Sequence, residues 1–166
     1  MKPLTGLSVE MKVFTSAALI FAGLAVLMGL VYLDVSHIGV GGNYVITPRD
    51  IAATYYGPGV GVVTLVSLAH IHMLGLFSVF WVIGFIFVHS SFPPGWKIFW
   101  SVLPFGAFLV DVSGWFLTKI AVVYVYVVIA GGSLFALGLA VMIVLSLYDM
   151  WLRPAKKVPK TVSART

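Results

Sequence analysis

Of 166 residues, 61% are hydrophobic and 9% charged, against about 45–50% apolar and about 25% charged in a soluble domain, which excludes both a water-soluble globule and a disordered chain. The absence of cysteine excludes disulfides, thiolate metal sites, iron–sulfur clusters and covalent c-type haem attachment. The net charge of +5 sits at the ends of apolar runs, which marks membrane topology and not nucleic-acid binding.

The chain reads as an all-α integral membrane protein: a four-transmembrane-helix bundle over residues 1–151, followed by a basic tail, 152–166. A spanning helix needs about 20 mainly apolar residues, and four runs supply them, at about 13–33, 62–88, 98–117 and 121–147. The first is longer than a signal-peptide core of about 7–15 residues. It ends in Val31-Tyr32-Leu33-Asp34 without an Ala-x-Ala cleavage pattern, so it is expected to stay as a helix. Its Ala18 and Ala22 offer a close helix contact.

Residues 34–61 form a long outer loop. Within it, Thr47-Pro48-Arg49-Asp50 reads as a helix start: a hydroxyl to cap free amides, a proline in the first turn and an acid at the dipole's positive end. That helix would carry Ile51, Ala52, Tyr55 and Tyr56 and stop at Gly57. Its apolar side and two tyrosines suit the membrane boundary, either as a lid on the bundle or as a docking surface for a partner.

The second span carries His70 and His72, and the third carries Asp111. An ionisable group at membrane depth is costly unless paired, so each is a candidate functional residue. With midpoints near Gly75 and Phe108, His72 and Asp111 share one level on antiparallel neighbours. His70 and His72 lie about 200° apart around the helix, so one at most faces the centre. His72, on the stripe with Gly75, Val79 and Ile86, is the expected inward residue, and His70 shares its stripe with Phe77, Trp81 and Val88. A His72–Asp111 hydrogen bond fixing helix packing, haem ligation, and a metal or proton-transfer role all remain open. A b-type haem wants a second axial ligand: His37 in the outer loop, the His72 of a second copy, or, less well, Met73. The i,i+2 spacing suits a copper or zinc site badly. His89, before the turn Ser90-Ser91-Phe92-Pro93-Pro94, is expected to reach water.

The fourth span is longer than required and should tilt or project. Its row Gly132, Ala136 and Ala140 lets backbones approach closely. Lys2 and Lys12 precede the first span, Arg153, Lys156, Lys157, Lys160 and Arg165 follow the fourth, and Lys97 lies between the second and third. Only Arg49 and Lys119 remain for the other face, so both termini are expected in the cytoplasm. No phosphate loop, nucleophile elbow, His-Glu-x-x-His or catalytic carboxylate pair is present.

The element Ala69-His70-Ile71-His72-Met73-Leu74-Gly75 resembles the Ala-His-x-His-x-x-Gly opening of a transmembrane helix in small bacterial membrane proteins related to polypeptide I of cytochrome c and quinol oxidases. It is also similar to small four-helix proteins with a His-x-His helix and an Asp-containing third helix. The resemblance covers one helix. It implies a multi-pass protein of the bacterial inner membrane in which His70 or His72 ligates haem iron. The other three spans lack the histidines that a complete oxidase core requires, so oxygen reduction by this chain alone is not expected. The expectation is an electron-transfer subunit, not a stand-alone enzyme, serving respiratory or quinone-linked electron transfer. It would hold one b-type haem through His72, with Asp111 as hydrogen-bonding partner or proton acceptor. Its partners would be the bilayer, other membrane subunits or a second copy, and a quinone. The alternatives are a non-redox accessory or assembly subunit docking through Tyr55 and Tyr56, and a small metal or proton carrier.

Overall fold

A computed structural model describes residues 3–36 and 47–154. Among these, a single 3₁₀ turn at Leu4–Gly6 leads into α1 (Val9–Ser36), α2 (Pro48–Tyr55), α3 (Val62–Val88), α4 (Pro94–Ile120), a second 3₁₀ turn at Val122–Tyr124, and α5 (Val125–Trp151). Four helices, α1, α3, α4 and α5, are long and apolar enough to cross a membrane. The protein is an all-helical, four-span membrane bundle.

The bounds reflect local chemistry. α3 spans the residues its apolar run indicates. α4 starts earlier than hydropathy alone places it, because Pro93 and Pro94 suit a helix start and the missing amide costs nothing there. α5 runs past the apolar stretch to Trp151 because the polar residues near its end find partners, as described below. The loop helix α2 forms as its sequence dictates. Thr47 Oγ1 accepts from Asp50 N at 3.4 Å and Thr47 N donates to the Asp50 carboxylate at 2.8 Å, a reciprocal cap.

Packing is closest between α4 and α5. Gly131 meets the backbone of Asp111, Gly138 meets the ring of Pro104, and Gly114 meets Val128. The main core gathers Leu19, Phe80, Ile83, Phe87, Phe108 and Met142, with Phe80 set edge-on to Phe105 at 5.2 Å. A second cluster, Leu65, Ala69, Trp115 and Val128, fills the outer half. By contrast α1 is peripheral, with 11% of its apolar window buried against 39% for α4. The row Ala136 and Ala140 faces this outlying helix and lines a groove of about 350 Å³ together with Gly23. The tight α4 seam uses Gly131 and Gly138 instead.

Leu4 N donates to the His89 carbonyl at 3.0 Å and Lys12 Nζ to the Met150 carbonyl at 2.6 Å. The start of α1, the α3–α4 turn and the end of α5 therefore share one end of the bundle. We call this the basic end, and the end bearing α2 the outer end.

Candidate functional site

The outer-end site is built from α2, α3 and α4. Docking of α2 packs the partly buried Ile51 and Tyr55 against Leu65 and Trp115. The chain leaves α2 through Gly57, whose φ of +60° is a left-handed conformation that a side chain disfavours. Lys119 Nζ, at the end of α4, donates to the Gly57 carbonyl at 2.9 Å and ties this turn to the bundle.

Trp115 is the hub. Tyr55 stacks on it with ring centroids 5.9 Å apart and planes 7° from parallel. His72 meets it edge-on at 5.7 Å and 86°. One turn earlier on α4, Asp111 is buried. Burial, and secondarily the Asp111 carboxylate, push the Tyr55 phenol up to about 12. Tyr56 forms the C-cap of α2 and is exposed.

The expected inward placement of His72 is corrected by this geometry. His72 is exposed on the outside of the bundle, as is His70. The inward face of α3 is occupied by Leu65, Ala69, Phe80, Ile83 and Phe87. His72 Nδ1 bonds the Leu68 carbonyl of its own helix at 2.8 Å and not Asp111, and the ring stands edge-on to the Trp115 indole. A carbonyl can only accept, so Nδ1 carries the proton and the Nε2 lone pair is free, the arrangement that orients a ligating histidine. Met73 is also exposed. His37 lies outside the described residues, as does the tail from residue 155. Among the described residues no group of three or more His, Asp or Glu side chains is placed to hold a metal. The copper or zinc arrangement is therefore not assembled by them. What the site offers is one oriented imidazole at the surface, backed by an aromatic and carboxylate cluster.

A second polar centre, at the basic end, was not singled out from the sequence. Asp149 has no exposed surface. Its carboxylate accepts from Ser91 N at 2.9 Å and pairs with Arg153 Nη1 at 3.4 Å. Lys97 Nζ donates to the Ser90 carbonyl at 3.3 Å, Arg153 lies over the Phe92 ring at 5.0 Å, and Trp151 Nε1 donates to Ser16 Oγ at 2.9 Å. This centre joins α5 to the α3–α4 turn. The i,i+4 spacing of Asp149 and Arg153 was its signal in the sequence.

No curated protein and no solved structure matches the chain. A protein family described as a transmembrane helical domain matches residues 46–157, which take in α2, α3, α4 and α5, and the chain belongs to that family of transmembrane helical domains.

Proposed function

We propose that this protein is an integral membrane subunit of the bacterial inner membrane, with its basic end in the cytoplasm, serving respiratory or quinone-linked electron transfer. The outer half of α3 is the face by which it joins its assembly. One observation carries the reading: His72 sits on the outside of the bundle in a spanning helix, with Nδ1 tied to Leu68 at 2.8 Å and Nε2 directed away from its own helix. An imidazole facing hydrocarbon is costly, and a second subunit or a prosthetic group covering it removes that cost. His70, on the same outer half and also exposed, adds to the argument.

His72 is the residue of this chain that would hold a b-type haem where α3 meets a second chain. The remaining ligand would be supplied by that other chain, a second copy being the simplest source. When bound, the haem supplies one-electron transfer. The chain's own contribution is positional. Leu68 fixes the imidazole tautomer, the Trp115 edge fixes its plane, and Tyr55 and α2 shield the cluster from the outer aqueous phase.

The test is an absorption spectrum of the gently purified protein, oxidised and then dithionite-reduced, beside His72→Ala and His70→Ala. Sharp reduced α and Soret bands lost in His72→Ala support the reading. A colourless wild type from haem-sufficient cells overturns the haem. If it still co-purifies with other membrane subunits, and His72→Ala loses them, the accessory-subunit reading replaces it.

A further inference from the structure

At the basic end a groove of about 190 Å³ opens between the start of α1 and the end of α3. Its walls are Leu4, Leu7, Met11, Phe85 and Ile86, and two polar side chains, Thr15 and His89, also line it. At about 30 Å³ per liquid water, the space equals about six waters, enough for one substituted six-membered ring and no more. An aromatic ladder leads away from it along α3. Phe85 lies 4.8 Å from His89, and Trp81 stacks on Phe85 at 5.1 Å and 14°. Both Phe85 and Trp81 are exposed on the side of the bundle that lipid would cover.

The hydrogen-bonding chemistry selects the occupant. His89 Nδ1 bonds the Phe85 carbonyl at 2.7 Å. A carbonyl only accepts, so Nδ1 holds the proton and the neutral ring's Nε2 is an acceptor. The nearby cations are already engaged: Lys12 with the Met150 carbonyl, Lys97 with the Ser90 carbonyl and Arg153 with Asp149. The groove itself also presents the Thr15 hydroxyl, which can accept from or donate to the same ligand hydroxyl that meets His89. It suits a flat apolar ring carrying a hydroxyl donor, with an apolar tail to lie on the aromatic ladder.

We propose that this groove binds the ring of a quinol, one hydroxyl donating to His89 Nε2, the ring held between Leu7 and Phe85 near Thr15, and the tail lying along Trp81. The proposal rests on the quinone-linked reading above and gives it a substrate class and a site remote from His72.

The experiment is anaerobic titration of the purified full chain with decylubiquinol, read by quenching of tryptophan emission. It is run on wild type, His89→Phe, Leu7→Trp and His72→Ala, with the melting temperature of each variant recorded. The expected result is saturable binding by wild type and His72→Ala, weakened about tenfold or more, the equivalent of one good hydrogen bond to a polar partner, in His89→Phe. Leu7→Trp fills the groove with His89 intact and is expected to abolish binding, so the test survives if His89→Phe does not fold. Absence of saturable binding by wild type, equal affinity in His89→Phe and Leu7→Trp, or full displacement of the quinol by phosphatidylethanolamine would overturn the proposal, the last by giving the groove to lipid. Because His72→Ala is scored for quinol affinity as well as for colour, loss of the haem reading and loss of the quinol site are told apart.

Discussion

Gly131 of α5 lies against the backbone of Asp111 on α4: a Cβ added to it would stand 2.6 Å from Asp111 N and 2.9 Å from the Ala107 carbonyl oxygen. Both neighbours are main chain inside a helix, so neither can rotate away. Close approach of this kind replaces the hydrophobic force that lipid cannot supply between helices. Gly131→Ala must therefore separate α4 from α5, and we expect a loss of about 1–3 kcal/mol, as for overpacking. Alanine's better helix propensity, about 1 kcal/mol, does not offset it. Gly75 is the control, because nothing lies within 4 Å of its added Cβ, and Gly75→Ala is expected to be neutral or slightly stabilising. Reversible unfolding in mixed micelles measures both. Equal stabilities for the two variants would contradict a backbone-to-backbone seam.

Asp149 tests the basic-end centre. Its carboxylate is fully buried and holds the Ser91 amide, while its partner Arg153 is partly exposed. Removing the acid strands the partly buried Ser91 amide, which costs about 1–3 kcal/mol. Removing the arginine breaks a long, partly solvated pair, worth about 0–1 kcal/mol. The expected order of stability is wild type, Arg153→Ala, Asp149→Asn, Asp149→Ala, since asparagine keeps one acceptor for Ser91. The same unfolding assay reads it, and an Arg153→Ala loss exceeding that of Asp149→Ala would reverse the assignment.

The sequence discloses the fold more fully than the site, for a physical reason. Long apolar runs are sufficient to locate four spans, and the α2 start is local chemistry among Thr47, Pro48 and Asp50. Facing is different. In a soluble helix the polar side identifies itself, but here lipid-facing and core-facing sides are both apolar, so spacing alone assigned His72 inward. What decides its facing is bulk: Leu65, Ala69, Phe80, Ile83 and Phe87 take the inward side, and Trp115 stands edge-on to the His72 ring. The glycine seam shows the same limit. Gly131 and Gly132 are adjacent and chemically alike, and only the position of Asp111 and Ala107 on α4 makes the first of them the close contact. Asp149 was hidden because its arginine served equally well as a topology signal.

The cap of α2 predicts a local rather than a global effect. Thr47 Oγ1 and the Asp50 carboxylate are 2.7 Å apart, and each also meets the other's backbone amide. Thr47→Ala removes one arm of the cap and should cost about 1 kcal/mol, confined to α2, whose anchors to the spans are Ile51, Tyr55 and the Lys119–Gly57 bond. Amide exchange within 48–55 should rise about fivefold, with the spans unchanged. Accelerated exchange in α3 or α4 as well would mean that α2 supports the bundle and does not merely cover it.

Tyr55 links the outer helix to pH. Burial first, and the Asp111 carboxylate second, hold its phenol neutral up to about 12, against 10.0 for a free tyrosine. The docked state therefore keeps a proton that the undocked state gives up near pH 10. By linkage its docking stability is complete below about pH 10 and is lost as pH rises toward 12. The tyrosinate absorbance of wild type minus that of Tyr55→Phe should consequently titrate near 12. Loss of the Tyr55–Trp115 stack should follow the same curve in near-ultraviolet circular dichroism. Tyr55→Phe keeps the stacking ring but has no proton to lose, so its α2 should stay docked through the same range. A difference titration centred near 10 would mean that the Tyr55 ring is solvated and that α2 does not cover Trp115.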